Sequence, residues 1–150
     1  MKAIKLTEKD VAKARDFAFK LIRSGRKGCF ENYFVGTLGE IAYGKFTKQK
    51  VNFEVYERFK GDDGADFKDA QVKTVGWAGE DKLLKVSTTD KSLKNPNVVK
   101  YILAYASIRN PEHVVLIGEV SKERFVKEAY LRQSWGCLVM SEHKLDKQYE

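Results

Sequence analysis

The most restrictive segment of this sequence runs Gly61-Asp62-Asp63-Gly64-Ala65-Asp66-Phe67-Lys68-Asp69-Ala70-Gln71-Val72-Lys73-Thr74. Three acids and two glycines fall within its first seven positions, and the chain then enters a β-type run. Ala70, Val72 and Thr74 alternate there with Gln71, Lys73 and Val75. Strand side chains alternate faces, so Gln71 and Lys73 point the same way. A two-residue turn at Lys68-Asp69, flanked by Phe67 and Ala70, sets Asp66 directly opposite Gln71, and such cross-strand neighbours have Cβ atoms roughly 4.5–5.5 Å apart. A carboxylate, an amide oxygen and an ammonium group gathered in this way suit a metal ion and a phosphate together. Lys-Asp is a poor sequence for the favoured tight turns, so turn chemistry does not fix this register.

Upstream, Thr7-Glu8-Lys9-Asp10 has the form of a capping box, with Asp in place of the longer Glu or Gln. Val11, Ala14, Phe17, Ala18, Leu21 and Ile22 recur at helical spacing, and Ser24-Gly25 can end the helix. A second helix is expected from about Asn32 to Thr47, with Phe34, Val35, Leu38, Ile41, Ala42 and Phe46 as its apolar arc. Glu40 falls nearly opposite the middle of that arc, with Gly36 and Gly44 on its side. Alone, Glu40 reads as a solvated helix carboxylate. Glycines inside a helix cost roughly 1 kcal/mol each relative to alanine, so those at 36, 39 and 44 call for a packing or functional reason.

Residues 51–59 read as a strand, with Val51, Phe53 and Val55 alternating with Asn52, Glu54 and Tyr56. Leu83 to Val86 is a further short strand. Thr88 to Asn97 is a polar loop with Lys91 and Lys94, free to move and to touch a nucleic-acid backbone. Val98 to Ile108 fits both helical and strand spacing; the strand over about 101–107 is preferred, because Asn110-Pro111 makes a turn and Val114 to Val120 is a clear strand to pair with it. Ser121 can cap a helix over 122–130, and Leu138-Val139-Met140 suggests a last strand.

At 150 residues a single domain spanning 1–150 is expected, with 43% hydrophobic residues to fill its core. No apolar run approaches the roughly 20 residues of a membrane span, and the N-terminus lacks the apolar core of a signal peptide. A cytoplasm-like compartment is therefore expected, and Cys29 and Cys137 read as two reduced cysteines. The net charge of +7 is unevenly placed: residues 1–50 hold 12 basic and 5 acidic side chains, whereas the later thirds are balanced. A basic region on a balanced protein suits a polyanion such as nucleic acid. Arg23, Arg26 and Lys27 are the candidate phosphate contacts, although cations at a helix C-terminus also answer the helix dipole. Two histidines without partner spacing support neither a zinc site nor a histidine-activated nucleophile, and no phosphate-binding glycine loop is present.

The order of elements, a Gly-Glu within a helix, a strand, a Gly-Asp turn, an Asp and then Gln-x-Lys in a strand, resembles the PD-(D/E)xK nuclease superfamily. The matching residues are Gly39-Glu40-Ile41-Ala42, Gly64-Ala65-Asp66-Phe67 and Gln71-Val72-Lys73-Thr74, with Gly118-Glu119-Val120-Ser121 downstream. The likeness spans roughly residues 32–125 and includes small viral, microbial and Holliday-junction-resolvase-like members. It implies an α/β (α+β) fold of the restriction-endonuclease-like kind, a mixed central β-sheet flanked by helices. It also implies a Mg²⁺- or Mn²⁺-dependent endonuclease with DNA as its partner. Asp66 would be the principal metal ligand, Gln71 would add its side-chain oxygen and Val72 its backbone carbonyl. Glu40 would ligate directly, through water or through a second ion. Lys73 would orient the attacking water and the scissile phosphate, or neutralise its developing charge. The chain departs from the pattern in lacking a proline before Asp66 and in carrying Gln71 where an acid is usual. An amide oxygen can ligate Mg²⁺ but adds no charge.

The chemistry stands on its own as well, since phosphodiester hydrolysis needs an activated water and a stabilised extra negative charge. A homodimer would bring two such sites to two strands. The competing expectation is a catalytically inactive nucleic-acid-binding module that keeps the fold, favoured by Gln71. A protein-interaction module unrelated to nucleic acid is the third.

Overall fold

A computed structural model describes residues 1–53, 66–77 and 79–150. The later part of the strand expected over 51–59, and the Gly-Asp turn with Asp62 and Asp63, lie outside the described residues. Residues 51–53 themselves belong to no strand.

The first helix, α1, runs Glu8–Arg23 and starts as its capping chemistry requires. The Asp10 N–H donates to Thr7 Oγ1 at 3.1 Å and the Thr7 N–H donates to the Asp10 carboxylate at 2.9 Å, so the shorter acid completes the box. Ser24 closes the helix and Gly25 turns the chain at φ +82°. Ile22, assigned to the apolar face, is 38% exposed.

The second helix, α2, runs Phe30–Thr47. The expected arc is buried except for Phe46, but Thr37, Gly39, Tyr43 and Gly44 are buried as well. A helix apolar on most sides is one enclosed by its neighbours. Two of its glycines have a packing reason. A Cβ on Gly39 would lie 1.8 Å from Thr74 Oγ1, and one on Gly44 would lie 2.9 Å from the Gln49 carbonyl. Gly36 has open space around it.

The helices cover one face of a five-stranded mixed sheet. Its strands are β1 (Lys2–Lys5), β2 (Ala70–Val75), β4 (Lys100–Tyr105), β5 (His113–Ser121) and β8 (Lys147–Gln148), in the order β1-β5-β4-β2, with β8 beside β1 on the same edge of β5. β2 and β4 are parallel, Ala70 opposite Lys100 and Lys73 opposite Leu103; β4 and β5 form the expected antiparallel hairpin, with a bulge between Leu103 and Ala104. Strand geometry wins over 98–108 because Tyr101 and Leu103 fill one core cluster while Ile102 and Ala104 fill the other. The remaining strands, β3 (Leu83–Ser87), β6 (Tyr130–Arg132) and β7 (Cys137–Ser141), make a three-stranded antiparallel sheet in the order β3-β7-β6. With α3 (Lys122–Glu128), it covers the other face through Leu84, Val86, Phe125 and Met140.

The described residues thus form an α/β fold with a mixed central sheet between a helical layer and a mixed second layer. Ser121 caps α3 as expected, but that helix ends at Glu128 and Tyr130 starts a strand. Cys137–Ser141 is not the final strand, since β8 follows. No helix among the described residues is long and apolar enough to cross a membrane.

Candidate active site at the edge of β2

Among the described residues β2 is the edge strand of the central sheet. Val72 is buried toward the helices, and Gly39 of α2 abuts Thr74 on the same side. Alternation therefore turns Gln71 and Lys73 to the opposite face, toward the second layer. The chain reverses at Lys68-Asp69, where the Phe67 N–H donates to the Ala70 carbonyl at 3.0 Å. Asp66 returns alongside the strand, and the Val72 N–H donates to Asp66 Oδ2 at 2.7 Å. The carboxylate thus meets β2 at the peptide between Gln71 and Val72. In an extended strand the N–H and C=O of one residue point to the same edge, so the Val72 carbonyl faces the same side as Asp66.

Gln71 is only 8% exposed, and its Oε1 atom is buried with no hydrogen-bond partner among the described residues. An unpaired buried acceptor costs about 1–3 kcal/mol, so this oxygen suits a donor or a hard cation. The Asp66 carboxylate, the Gln71 amide oxygen and the Val72 carbonyl, on neighbouring positions at the edge and face of β2, are all oxygen donors, the type Mg²⁺ takes. By that measure the residues fit the metal that the sequence leads one to expect.

Lys73 brings a partner that the sequence did not suggest. Its Nζ lies 2.6 Å from Asp90 Oδ2, with side chains 24% and 13% exposed. Burial pushes the Asp90 carboxyl up, but the Lys73 charge and hydrogen bonds from Lys73 and Ser92 outweigh it and hold it below the usual value. Asp90 also caps a short 3-10 turn at Lys91–Leu93, where the Ser92 N–H donates to Asp90 Oδ1 at 2.9 Å. The Ser92 hydroxyl shares a 2.8 Å bond with Tyr101, and Lys122 Nζ donates to the carbonyls of Ser92 and Asn95. The loop expected to be free over 88–97 is therefore pinned to β4 and α3. Lys91 and Lys94 stand exposed on it.

Glu40 follows Gly39 on α2 and is partly buried. Its helix lies on the face of β2 opposite Gln71 and Lys73, so a shared site can form only around the strand edge, where Asp66 lies. Arg23, Arg26 and Lys27 end α1 and begin the turn to α2. That turn lies beyond the C-terminal end of β2, because a Cβ on Gly76 would meet Val35 near the start of α2, whereas one on Gly44 would meet Phe67.

A second charged group under the C-terminal half of α2 was also missed. Lys100 Nζ lies 3.4 Å from Glu119 Oε2, and the Tyr149 hydroxyl donates to the same oxygen at 2.9 Å. Burial lowers the Lys100 ammonium, but Tyr43, Glu119 and Asp69 outweigh it and hold the group above its usual value. Burial and the Glu119 carboxylate push the Tyr149 phenol up, which keeps it a donor. Lys100 and Tyr149 thus both engage Glu119 Oε2.

No family model, no curated protein and no solved structure matches the chain.

Proposed function

We propose that the protein is a metal-dependent nuclease that hydrolyses DNA phosphodiester bonds, an endonuclease of recombination, repair or viral genome processing. The observation that supports this most is the oxygen set at the β2 edge: the Asp66 carboxylate held on the Val72 N–H, beside a buried Gln71 oxygen that lacks a partner. The order of Gly39-Glu40, Asp66 and Gln71-Val72-Lys73, which resembles the PD-(D/E)xK superfamily, supports it independently.

Asp66, Gln71 and the Val72 carbonyl would hold Mg²⁺ or Mn²⁺, with Glu40 joining around the strand edge. The bound ion supplies Lewis-acid polarisation and a more acidic water. Lys73 places a cation on the face where a phosphate would approach, and Asp90 fixes its direction. Arg23, Arg26 and Lys27 lie past the far end of β2. Four strand residues add about 13 Å and the first turns of α2 about 7 Å more. The resulting span of about 20 Å corresponds to roughly six base-pair steps of duplex at 3.4 Å each. One continuous DNA segment can therefore touch the β2 edge and the basic turn, and a homodimer would present two such edges.

One observation favours the alternative, a module that binds nucleic acid without cutting it. Lys73 is already committed to Asp90 at 2.6 Å, and the Gln71 amide brings no charge. The discriminating experiment incubates the purified protein with plasmid, single-stranded and branched DNA in Mg²⁺, Mn²⁺ or EDTA. Cleavage abolished by EDTA and by Asp66→Asn or Lys73→Ala supports the nuclease. Retarded but intact DNA under every metal supports the binding module.

A further inference from the structure

We propose a second metal site, independent of the β2 edge, in which Asp81, Glu142 and His143 hold a zinc-class divalent ion. The three residues come together because β3 and β7 pair antiparallel with Leu83 opposite Ser141. Asp81 precedes one strand, and Glu142-His143 follow the other in a 3-10 turn at Glu142–Lys144. One donor atom from each lies within 4.8 Å of the others. His143 Nε2 is 4.0 Å from Asp81 Oδ1 and 3.9 Å from Glu142 Oε1.

A cluster of this kind often forms without an ion, but Glu142 sets this one apart. Its side chain is only 6% exposed; Oε1 faces His143, and Oε2, the other oxygen of the same carboxylate, is buried without a hydrogen-bond partner among the described residues. A desolvated carboxylate oxygen with no donor is costly unless something positive reaches it. Lys82 does not, because its ammonium turns to the Gly79 carbonyl and the Tyr105 ring.

The surroundings hold the ligands in place. The Glu142 N–H donates to the Lys82 carbonyl at 2.9 Å, and Gln148 Nε2 donates to the Glu142 carbonyl at 3.1 Å. A single hydroxyl ties the other two ligands together: Ser141 Oγ donates to Asp81 Oδ1 at 2.7 Å and accepts the His143 N–H at 3.2 Å. Metal-binding carboxylates commonly have such an outer partner.

The donor chemistry selects the ion. One imidazole and two carboxylates suit zinc and its neighbours better than Mg²⁺ or Ca²⁺, which prefer oxygen alone. Zn–N and Zn–O bonds near 2.0–2.2 Å require donors about 3.3–3.5 Å apart in a tetrahedron. The His143 distances of 3.9–4.0 Å close to that range with shifts of about half an ångström, and the Asp81–Glu142 pair, within 4.8 Å, closes with a shift of up to about 1.4 Å. The side chains that must move, His143 at 71% and Asp81 at 50% exposure, are free to do so. With three protein ligands, water completes the shell. The ion would clamp the start of β3 to the end of β7.

The test uses the full chain, stripped with EDTA and dialysed, then titrated with ZnCl₂ by calorimetry and melted with and without zinc. His143→Ala and Asp81→Asn are run beside wild type and Asp66→Asn. Wild type and Asp66→Asn should bind one zinc at this site and melt higher with it. His143→Ala and Asp81→Asn should lose more than the roughly tenfold affinity that removal of an outer partner alone costs. Because both residues are exposed, their metal-free melting temperatures should match wild type. Glu142→Gln should lose the zinc response without losing metal-free stability. Equal zinc affinity in wild type and His143→Ala overturns the site, as does a wild type that neither binds zinc nor melts higher with it. Loss of the zinc response in Asp66→Asn alone would also overturn it, assigning the ion to the β2 edge.

Discussion

Replacing Gly39 with alanine tests the contact that positions α2, and with it Glu40, on β2. The new Cβ would lie 1.8 Å from Thr74 Oγ1 and 3.0–3.1 Å from Thr74 Cβ and Cγ2, all inside van der Waals contact. Thr74 is β-branched, so rotation about χ1 leaves its Cβ in the way. The helix must back off or the strand must bend, at the roughly 1–3 kcal/mol typical of overpacking. Alanine returns about 1 kcal/mol of helix propensity. With the closest approach this short, the upper part of the range applies, leaving a net loss of about 1–2 kcal/mol. Gly36→Ala is the control, because a Cβ there meets nothing within 4 Å. It should stabilise by about 0.5–1 kcal/mol. In urea unfolding followed by circular dichroism, with a slope of about 2 kcal/mol/M, the two midpoints should separate by about 1 M. Thr74→Ala should restore most of the loss in the double variant, since it removes a hydroxyl that is itself buried and unpaired. If Gly39→Ala proves as stable as Gly36→Ala, α2 does not sit on β2 as described.

Three further outcomes are expected. The Asp90 carboxyl is depressed in the fold, so the Lys73–Asp90 pair stabilises above the unfolded carboxyl value near 3.9 and fades as pH falls through the lower folded value. Asp90→Asn should therefore cost about 1–3 kcal/mol at pH 7, less than a fully buried pair, and flatten the pH dependence below about pH 4; parallel stability curves for the two proteins would refute the coupling. Gln71→Glu buries a carboxylate, so it should lower the melting temperature in EDTA and recover in Mg²⁺ beyond wild type; indifference to Mg²⁺ would remove Gln71 from the metal set. Neutralising Arg23, Arg26 and Lys27 together should flatten the salt dependence of DNA binding by up to about three phosphate contacts, and an unchanged slope would return these cations to the helix dipole alone.

The legible parts of this chain are those whose signals are local. The capping box at Thr7, the alternation through Ala70–Val75 and the apolar β5 run each lie within one element and follow from periodicity. The reversal at Lys68-Asp69 was legible too, but Asp66 forms no strand opposite Gln71; its side chain takes the Val72 N–H at the edge of β2. What escaped is what the fold assembles from a distance. Lys73 and Asp90 are 17 residues apart and meet through a pinned loop. An Asp-x-Ser pattern at Asp90-Lys91-Ser92 was the available signal, and it marks only the cap. Asp81 reaches Ser141, 60 residues on, through strand pairing that no spacing rule anticipates. Strands β1, β6 and β8, with 4, 3 and 2 residues, are too short to show a period. The all-round burial of α2 depends on neighbours and not on its own sequence.

The bond from the Val72 N–H to Asp66 has a consequence for how the protein behaves in solution. Among the described residues β2 is an edge strand, and an edge strand exposes backbone donors that another chain's strand can use as a template. At Val72 that donor is occupied by a side chain, so the carboxylate also acts as a guard against intermolecular strand addition. Removing it with Asp66→Ala frees a backbone N–H on β2, whose Ala70, Val72 and Val75 are apolar, and favours aggregation. Asp66→Asn keeps an acceptor at the same place. An inactive Asp66→Ala preparation that sediments as large particles would therefore speak of a lost guard, and only the soluble asparagine variant reports on chemistry.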